Sequence, residues 1–406
     1  MQVIYERCCG IDVHKKMLAI CLRRGRKSEI REYGTYTRDL LELAEWLLES
    51  GCQMIAMEST GPYWKPLFNV FESVGLPAMI VNARHMKALP GRKTDISDAQ
   101  WIADLLQHGL LKASFVPDRQ QRELRELTRY RKSRMEERAR EINRLQKMLE
   151  GANIKLSSAV TDIMGLSSRK LLELVTSDHP VTLERVEQCM KGHLKASAEE
   201  LLLTLEGVVT GLQRELIGEV LHVIDEQTAQ IARAEALIDK YMDDSYAQAV
   251  DAVDTLPGIA KTSAQQIVAE IGIDMSRFPS ANHLSSWAGL SPGNNESAGK
   301  RKSGRTNHGN KMLKSTMVQC AMVAVKNKNT FFHAQYQRLL VRRGKKRAVV
   351  AVAHSMLIAI YHVLSGEPFV DLGADYYNQF GTEKKINSYL AKLKQLGWEP
   401  PQAPIS

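Results

Sequence analysis

The chain has 406 residues, with 55 Lys and Arg against 46 Asp and Glu, a formal net charge of +9. Apolar residues make up 44% and charged residues 25%, which excludes a mainly disordered chain, and the length suits two to three domains of about 100–200 residues each. Six cysteines with no CxxC pairing and no His at zinc spacing argue against a disulfide framework and against structural zinc, and fit the reduced thiols of a cytoplasmic protein.

The N-terminus, MQVIYERCCGIDVHKK, has no apolar signal core and no transit pattern. The first 115 residues alternate strand and helix signals. Val3–Tyr5 with Cys8–Val13 reads as one strand with an interruption, Met17–Leu22 as a second, and Glu29–Tyr36 as a third. Leu40–Leu48 has helical spacing, Met54–Met57 is a buried strand, and Trp64–Val74 is a helix behind the breaker Gly61-Pro62. Ala78–Val81 is a further strand, followed by a basic loop over 82–94 and a helix from Asp95 to His108. Three strands, helix, strand, helix, strand, helix is the order of a ribonuclease H-like α/β domain, placed at 1–117.

From 118 to 150 Leu124, Leu127, Ile142, Leu145 and Leu149 recur at helical steps without Gly or Pro, which predicts one long helix. It is rich in arginine, with eleven basic and five acidic residues between Arg119 and Lys147, and could contact an RNA backbone. A second long helix is predicted over Ser197–Tyr241, on the stripe Leu205, Val209, Leu212, Leu216, Val220, Val223, Ile231 and Ile238. Gly207, Gly211 and Gly218 weaken it by about 1 kcal/mol each. Two long helices joined by short ones over 118–245 read as a coiled-coil arm or as an ordinary helical bundle; a coiled coil would bring oligomerisation. Residues 246–370 read as a mainly helical domain and 371–406 as a peripheral tail with a helix at Thr382–Leu396. The apolar run Ala348–Leu364 is shorter than the about 20 residues of a membrane span and reads as a core helix.

Charge is unevenly distributed. From Ser297 to Gly366 there is no Asp or Glu and there are fourteen Lys and Arg, so the rest of the chain carries a net charge of −5. A phosphate-binding surface, with Arg342 and Arg343 among its cations, is the better reading of such a region, since a merely solvated face mixes signs.

Asp12 and Glu58 each stand at the edge of a buried strand, where a carboxylate is costly without a cation or partner. Asp95 and Asp98 share one face at a helix start, where capping alone would also account for them. Together the four acids suit Mg²⁺, a hard ion that keeps positions open for phosphate and water. Leu256–Ala264 has the form of a helix-hairpin-helix turn, with Gly258 at the turn and Lys261 at the following helix start; a plain inter-helix turn has the same form. Gly289–Arg305 is a loop by composition. It carries Ser291, Ser297 and Ser303 beside Lys300, Arg301, Lys302 and Arg305. Such serines are usually polar turn residues, but one among phosphate-binding cations could attack a phosphodiester.

These residues resemble a family. Asp12 in GIDVHK, Glu58 in MESTGPYW and Asp95 with Asp98 in GRKTDISDAQWIADLL are similar to the N-terminal pattern of DEDD-type insertion-sequence transposases, relatives of the Piv DNA invertases described as bridge-RNA-guided recombinases. LPGIAKTSAQQIVAEIG and RFPSANHLSSWAGLSPGNNESAGKRKSGRTNHGNKMLKSTMVQCA resemble its second half, so the likeness covers about residues 8–365. The resemblance implies a RuvC-like catalytic domain, a coiled-coil arm and a C-terminal transposase domain. It also implies Mg²⁺ on Asp12, Glu58, Asp95 and Asp98, a covalent protein–DNA link through a serine, DNA and bridge RNA as partners, and a homo-oligomer from dimer to tetramer. Ser297 in NNESAG aligns best with the family's Ser-Gly element, although Ala298 separates it from Gly299. That leaves Ser303, followed directly by Gly304, as the competitor and Ser291 third. The acids alone would equally serve a RuvC-like junction nuclease that uses water.

Overall fold

The computed structural model describes residues 2–58, 61–81, 98–177, 179–192, 194–293, 295–297, 300–303, 305–378 and 382–398. The chain divides into two compact units, Met1–Asp118 and Arg119–Ser406.

The first unit is built on a five-stranded sheet. Strands β1 (Arg7–Val13), β2 (Leu18–Arg24) and β3 (Lys27–Tyr33) form an antiparallel meander, and β4 (Met54–Glu58) and β5 (Ala78–Val81) extend it in parallel, giving the order β3-β2-β1-β4-β5. Helices α1 (Thr37–Glu49), α2 (Trp64–Ser73) and α3 (Asp98–Gln107) complete it. The element order expected from the sequence is therefore the order found among the described residues. Val3–Tyr5 lies outside the first strand, because Ile4 and Tyr5 donate their amides to the Gln107 carbonyl at the end of α3.

Alternation along the strands sorts side chains between two faces. Cys9, Ile11, Val13, Ile55 and Met57 pack with Leu43, Leu47, Leu67 and Phe71 of α1 and α2. Cys8, Gly10 and Ala56 turn to the other face, where their small size admits α3. A Cβ on Gly10 would stand 2.3 Å from both the Ala103 nitrogen and the Ala99 oxygen, so strand and helix meet backbone to backbone. The helix runs antiparallel to β1: Gln107 lies by Ile4, Ala103 by Cys8 and Ala99 by Gly10. All six cysteines are free thiols; burial pushes Cys8 up to about 12 and Cys52 to about 11, so both are neutral packing groups.

The second unit opens on α4 (Arg119–Gly151), then four short helices, α5 (Leu156–Ala159), α6 (Leu166–Thr176), α7 (Leu183–Cys189) and α8 (Ala198–Leu205), then α9 (Gly211–Tyr241). The long helices are antiparallel. Gln120 bonds Asp243, Arg134 bonds Gln230, Arg138 bonds Thr228, and Leu145 and Leu149 share a core with Ile217 and Leu221. The predicted single helix over Ser197–Tyr241 is broken between Leu205 and Gly211. There the Val208 amide donates to the Ala152 carbonyl, and a Cβ on Gly207 would lie 2.3 Å from that oxygen; Thr210 then restarts the helix with a capping box to Gln213.

The remainder is α10 (Asp244–Asp254), α11 (Lys261–Ile271), α12 (Ala281–Trp287), a two-stranded ribbon of β6 (Asn295–Ser297) and β7 (Lys300–Ser303), α13 (Lys311–Ala324), α14 (Phe331–Arg343), α15 (Lys345–Leu364) and α16 (Thr382–Gln395). The apolar helix α15 has the length and composition of a membrane span, but Ala348, Val352, Met356 and Ile360 lie fully buried in the C-terminal core with Leu284, Leu313 and Met317, as a core helix requires. Leu124 reaches the same core from α4.

Above Leu124, α4 is held by charge. Glu270 of α11 is fully buried; Arg129 grips its carboxylate with two bonds of 2.6 and 2.8 Å, Arg125 adds a contact at 3.3 Å, and Asn310 donates at 2.6 Å. Arg131, 2% exposed, bonds Gln265 and the Thr262 carbonyl, and Lys132 bonds Thr316. Burial lowers the pKa of both.

Two stability outcomes follow from this packing. Gly10→Ala forces α3 off the sheet and is expected to cost about 1–3 kcal/mol or more, read from the urea midpoint. Glu270→Ala leaves the largely buried Arg125 and the half-exposed Arg129 without their shared carboxylate and is expected to cost about 3 kcal/mol; an unchanged midpoint would show the clamp to be neutral.

Candidate active site and nucleic-acid surface

Parallel register brings the first two acids together. Ile11 pairs with Met57, so the next residues of the two strands, Asp12 one before the end of β1 and Glu58 at the end of β4, stand side by side on the same face, the face that α3 covers. Because α3 runs antiparallel to β1, its first residue, Asp98, lies at the end of the helix nearer those strand ends. Asp98 is solvent-exposed, and a carboxylate in a first helical turn is favoured by the helix dipole. Asp95 lies outside the described residues.

The Asp12 carboxylate accepts from the His14 Nε2 at 3.0 Å. Asp12 is largely buried and His14 mostly exposed, so the imidazole covers the carboxylate from the solvent side. Sequence reasoning passed over His14. The signal was its place two residues after Asp12, on the same side of the extended chain. Hard carboxylate oxygens from two strand ends and one helix start suit a divalent cation by donor chemistry. Among the described residues no three His, Cys, Asp or Glu side chains stand together as an ion would need.

The stretch expected to be a loop, Gly289–Arg305, holds a hairpin. Asn295 pairs with Ser303, Glu296 with Arg301 and Ser297 with Lys300, with a bulge at Asn295/Glu296. Its base is closed by a bridge between Pro292 and Thr306 and by the Gly293 amide on the Arg305 carbonyl. The hairpin was hidden because its strands are polar throughout. Ser297 pairs with Lys300, and Ser303 sits nearer the base. Lys300, Arg301 and Lys302 follow one another along β7. Ser291 precedes the ribbon, where its carbonyl accepts from the Asn307 amide.

The ribbon is seated by close backbone packing. A Cβ on Gly309 would lie 2.3 Å from the Gly289 nitrogen and 2.5 Å from the Trp287 oxygen, and Lys314 of α13 bonds Thr306. Arg305 is exposed at the ribbon's foot. Arg342 and Arg343 are exposed in the last turn of α14 and continue, through Gly344, into exposed Lys345, Lys346 and Arg347 at the start of α15. These five cations make one corner.

The turn between α10 and α11 places Gly258 at φ +83°, where a Cβ would collide with the Ala324 backbone at 2.5 Å. Glycine is required there by packing against α13. Lys261 at the start of α11 is exposed, 3.7 Å from Asp239. The arginine-rich helix Arg119–Lys147 spends part of its charge within the protein: Arg125 and Arg129 bind Glu270, Arg131 binds Gln265 and Thr262, and Lys132 binds Thr316, while Arg119, Arg140, Arg144 and Lys147 are exposed.

Comparison with known proteins agrees with the arrangement. A transposase model of the IS110 DEDD type matches residues 9–154, and a model described as transposase IS116/IS110/IS902 family matches residues 250–337. The transposase for insertion sequence element IS1111A of Coxiella burnetii is 24% identical over 379 residues, 90% of this chain and 91% of that protein. The pilin gene-inverting proteins of Moraxella bovis and Moraxella lacunata are each 30% identical over 119 residues, 28% of this chain and 37% of theirs. The first matched region holds the strand-edge acids and the second holds the serine ribbon, and with both in this order the chain belongs to the IS110-type insertion-sequence transposases, enzymes that act on DNA.

Proposed function

We propose that the chain is a recombinase that cuts and rejoins DNA through a covalent phosphoserine intermediate, with Asp12, Glu58, Asp95 and Asp98 holding Mg²⁺ and Ser297 as nucleophile. The observation that supports this reading is the register that sets Asp12 beside Glu58 at neighbouring strand ends, on the face against which α3 packs. Those strands belong to a sheet whose order supports a ribonuclease H-like, RuvC-like domain. Bound there, Mg²⁺ would supply charge stabilisation to the reacting phosphate. His14 holds the Asp12 carboxylate in position before the ion arrives.

In the chemical step the serine oxygen displaces one bridging oxygen of the phosphodiester, which leaves as a strand-end hydroxyl after taking up a proton. Attack by the hydroxyl of a second strand reverses the step, restores the serine and joins the new ends. No bond energy is lost to water, which is the physical advantage over hydrolysis. Ser297 precedes the ribbon turn, opposite Lys300, so it has cations for the transferring phosphate on the facing strand. Lys300, Arg301, Lys302, Arg305, Arg342 and Arg343 form the proposed nucleic-acid surface. Gly258 and Lys261 belong to a proposed helix-hairpin-helix turn.

On this reading 1–117 is the catalytic domain, 118–245 a coiled-coil arm, 246–370 the transposase domain and 371–406 a tail. The acids and the serine come together in an oligomer, dimer to tetramer, on DNA and a bridge RNA in the cytoplasm. The RNA contact would fall on the exposed cations of the long helix, Arg140 and Arg144 among them, and on the corner Arg342–Arg347.

Asp12→Asn is expected to lower recombination of a donor plasmid at least about 10²-fold while leaving the unfolding midpoint nearly unchanged. Denaturing gels and peptide mapping are expected to trap DNA on Ser297. An adduct on Ser303 would move the nucleophile to the ribbon base. Free ends without any adduct, or full activity of a Ser297→Ala, Ser303→Ala double variant, would replace this mechanism by a water-using junction nuclease. A discrete noncoding RNA is expected to copurify from cells carrying the flanking element; RNA-independent recombination would remove that partner.

A further inference from the structure

The tail helix α16 carries Ile386, Tyr389, Leu393 and Leu396 at steps of three, four and three, the spacing of a coiled-coil seam. All four are exposed, Leu396 at 83%, and Trp398 beyond the Gly397 turn is exposed as well. A helix of 14 residues whose apolar face is uncovered is marginal by itself, so this stripe requires an occupant. Lys392 and Lys394, both exposed, edge it with positive charge.

A matching feature lies at the far end of the antiparallel pair. Leu203 of α8, Val208 of the break, and Leu212 and Leu216 in the first turns of α9 are all exposed, Val208 at 80%. Exposed Glu206, Glu215 and Glu219 stand among them, the last two each three residues beyond a leucine on the same helix face. One apolar strip is thus edged by cations and the other by carboxylates.

In the single chain both strips stay uncovered, Ile386, Tyr389, Leu393 and Leu396 on the tail and Leu203, Val208, Leu212 and Leu216 at the arm tip, so the tail helix is not seated on its own arm.

We propose that the tail helix of one copy docks on the acidic arm tip of a second copy, Ile386, Tyr389, Leu393 and Leu396 covering Leu203, Val208, Leu212 and Leu216. The recombinase reading is not needed for this. The contact is small, so it acts beside other interfaces and shifts assembly by a modest factor. Mass photometry of the full chain from nanomolar to micromolar concentration tests it. Lys392→Glu with Lys394→Glu, and Glu215→Lys with Glu219→Lys, are each expected to raise the half-association concentration about tenfold, and the combined four-fold swap to restore it. Zero-length carbodiimide cross-linking of a ¹⁴N/¹⁵N mixture is expected to give mixed-isotope peptides joining Lys392 to Glu215 or Glu219. Cross-links only within one isotope would overturn the second copy in favour of self-docking. Unchanged assembly of both reversed variants, or loss of nucleic-acid binding alone in the lysine variant, would overturn the docking itself.

Discussion

A single buried carboxylate fixes much of the second unit. Glu270 has no exposure to water, so its charge survives only through the donors aimed at it: the fork of Arg129, the guanidinium of Arg125 and the amide of Asn310. Those donors come from two places. The arginines lie on the first turns of the long helix, and Asn310 is the residue whose Oδ1 caps α13 by accepting from Met312 and Leu313. Setting Glu270 therefore sets the root of the antiparallel pair and the helix that follows the serine ribbon at the same time. The ribbon's own seat, Gly289 against Gly309, lies one residue away from that cap. The base of this polar strand pair takes its position from that neighbour.

The first unit solves a similar problem with size instead of charge. Gly10 and Ala56 leave room for Ala99 and Ala103, so α3 lies directly on the sheet. This close approach carries the helix start to the strand ends where Asp12 and Glu58 stand. Larger residues at these places would lift the helix and separate Asp98 from the edge. The fold thus uses small side chains to bring acids of distant sequence position to one line.

The strands were legible because alternation and β-branched or sulfur-bearing residues mark them directly, as in Cys9, Ile11 and Val13 against Cys8, Gly10 and Asp12. The places of Asp12 and Glu58 at strand ends were legible for a related reason, since each closes an apolar run. The internal part played by Arg125 and Arg129 was not legible because the meaning of a cation depends on its partner, and the partner Glu270 is 141 residues from Arg129. Nothing local distinguishes an arginine that meets a buried glutamate from one that meets a phosphate. The hairpin around Ser297 escaped because β6 and β7 lack any apolar alternation. The break before Gly211 is a tertiary effect too, since the contact that favours Gly207 lies at Ala152.

The corner from Arg342 to Arg347 repeats the lesson in electrostatic form. Arg342 and Arg343 at the C-terminal end of α14 favour their helix dipole, but Lys345, Lys346 and Arg347 oppose theirs at the start of α15. Five exposed cations within six residues also repel one another, and no acid lies between Ser297 and Gly366 to relieve them. Local stability would be better served by an acid at the start of α15. On the proposed reading a phosphate chain would supply that negative charge from outside, meet the backbone amides of the helix start, and turn the mutual repulsion into attraction. The modest net charge of +9 conceals this arrangement, because acids elsewhere in the chain, including those at the sheet edge, offset a region that carries fourteen cations and no carboxylate of its own.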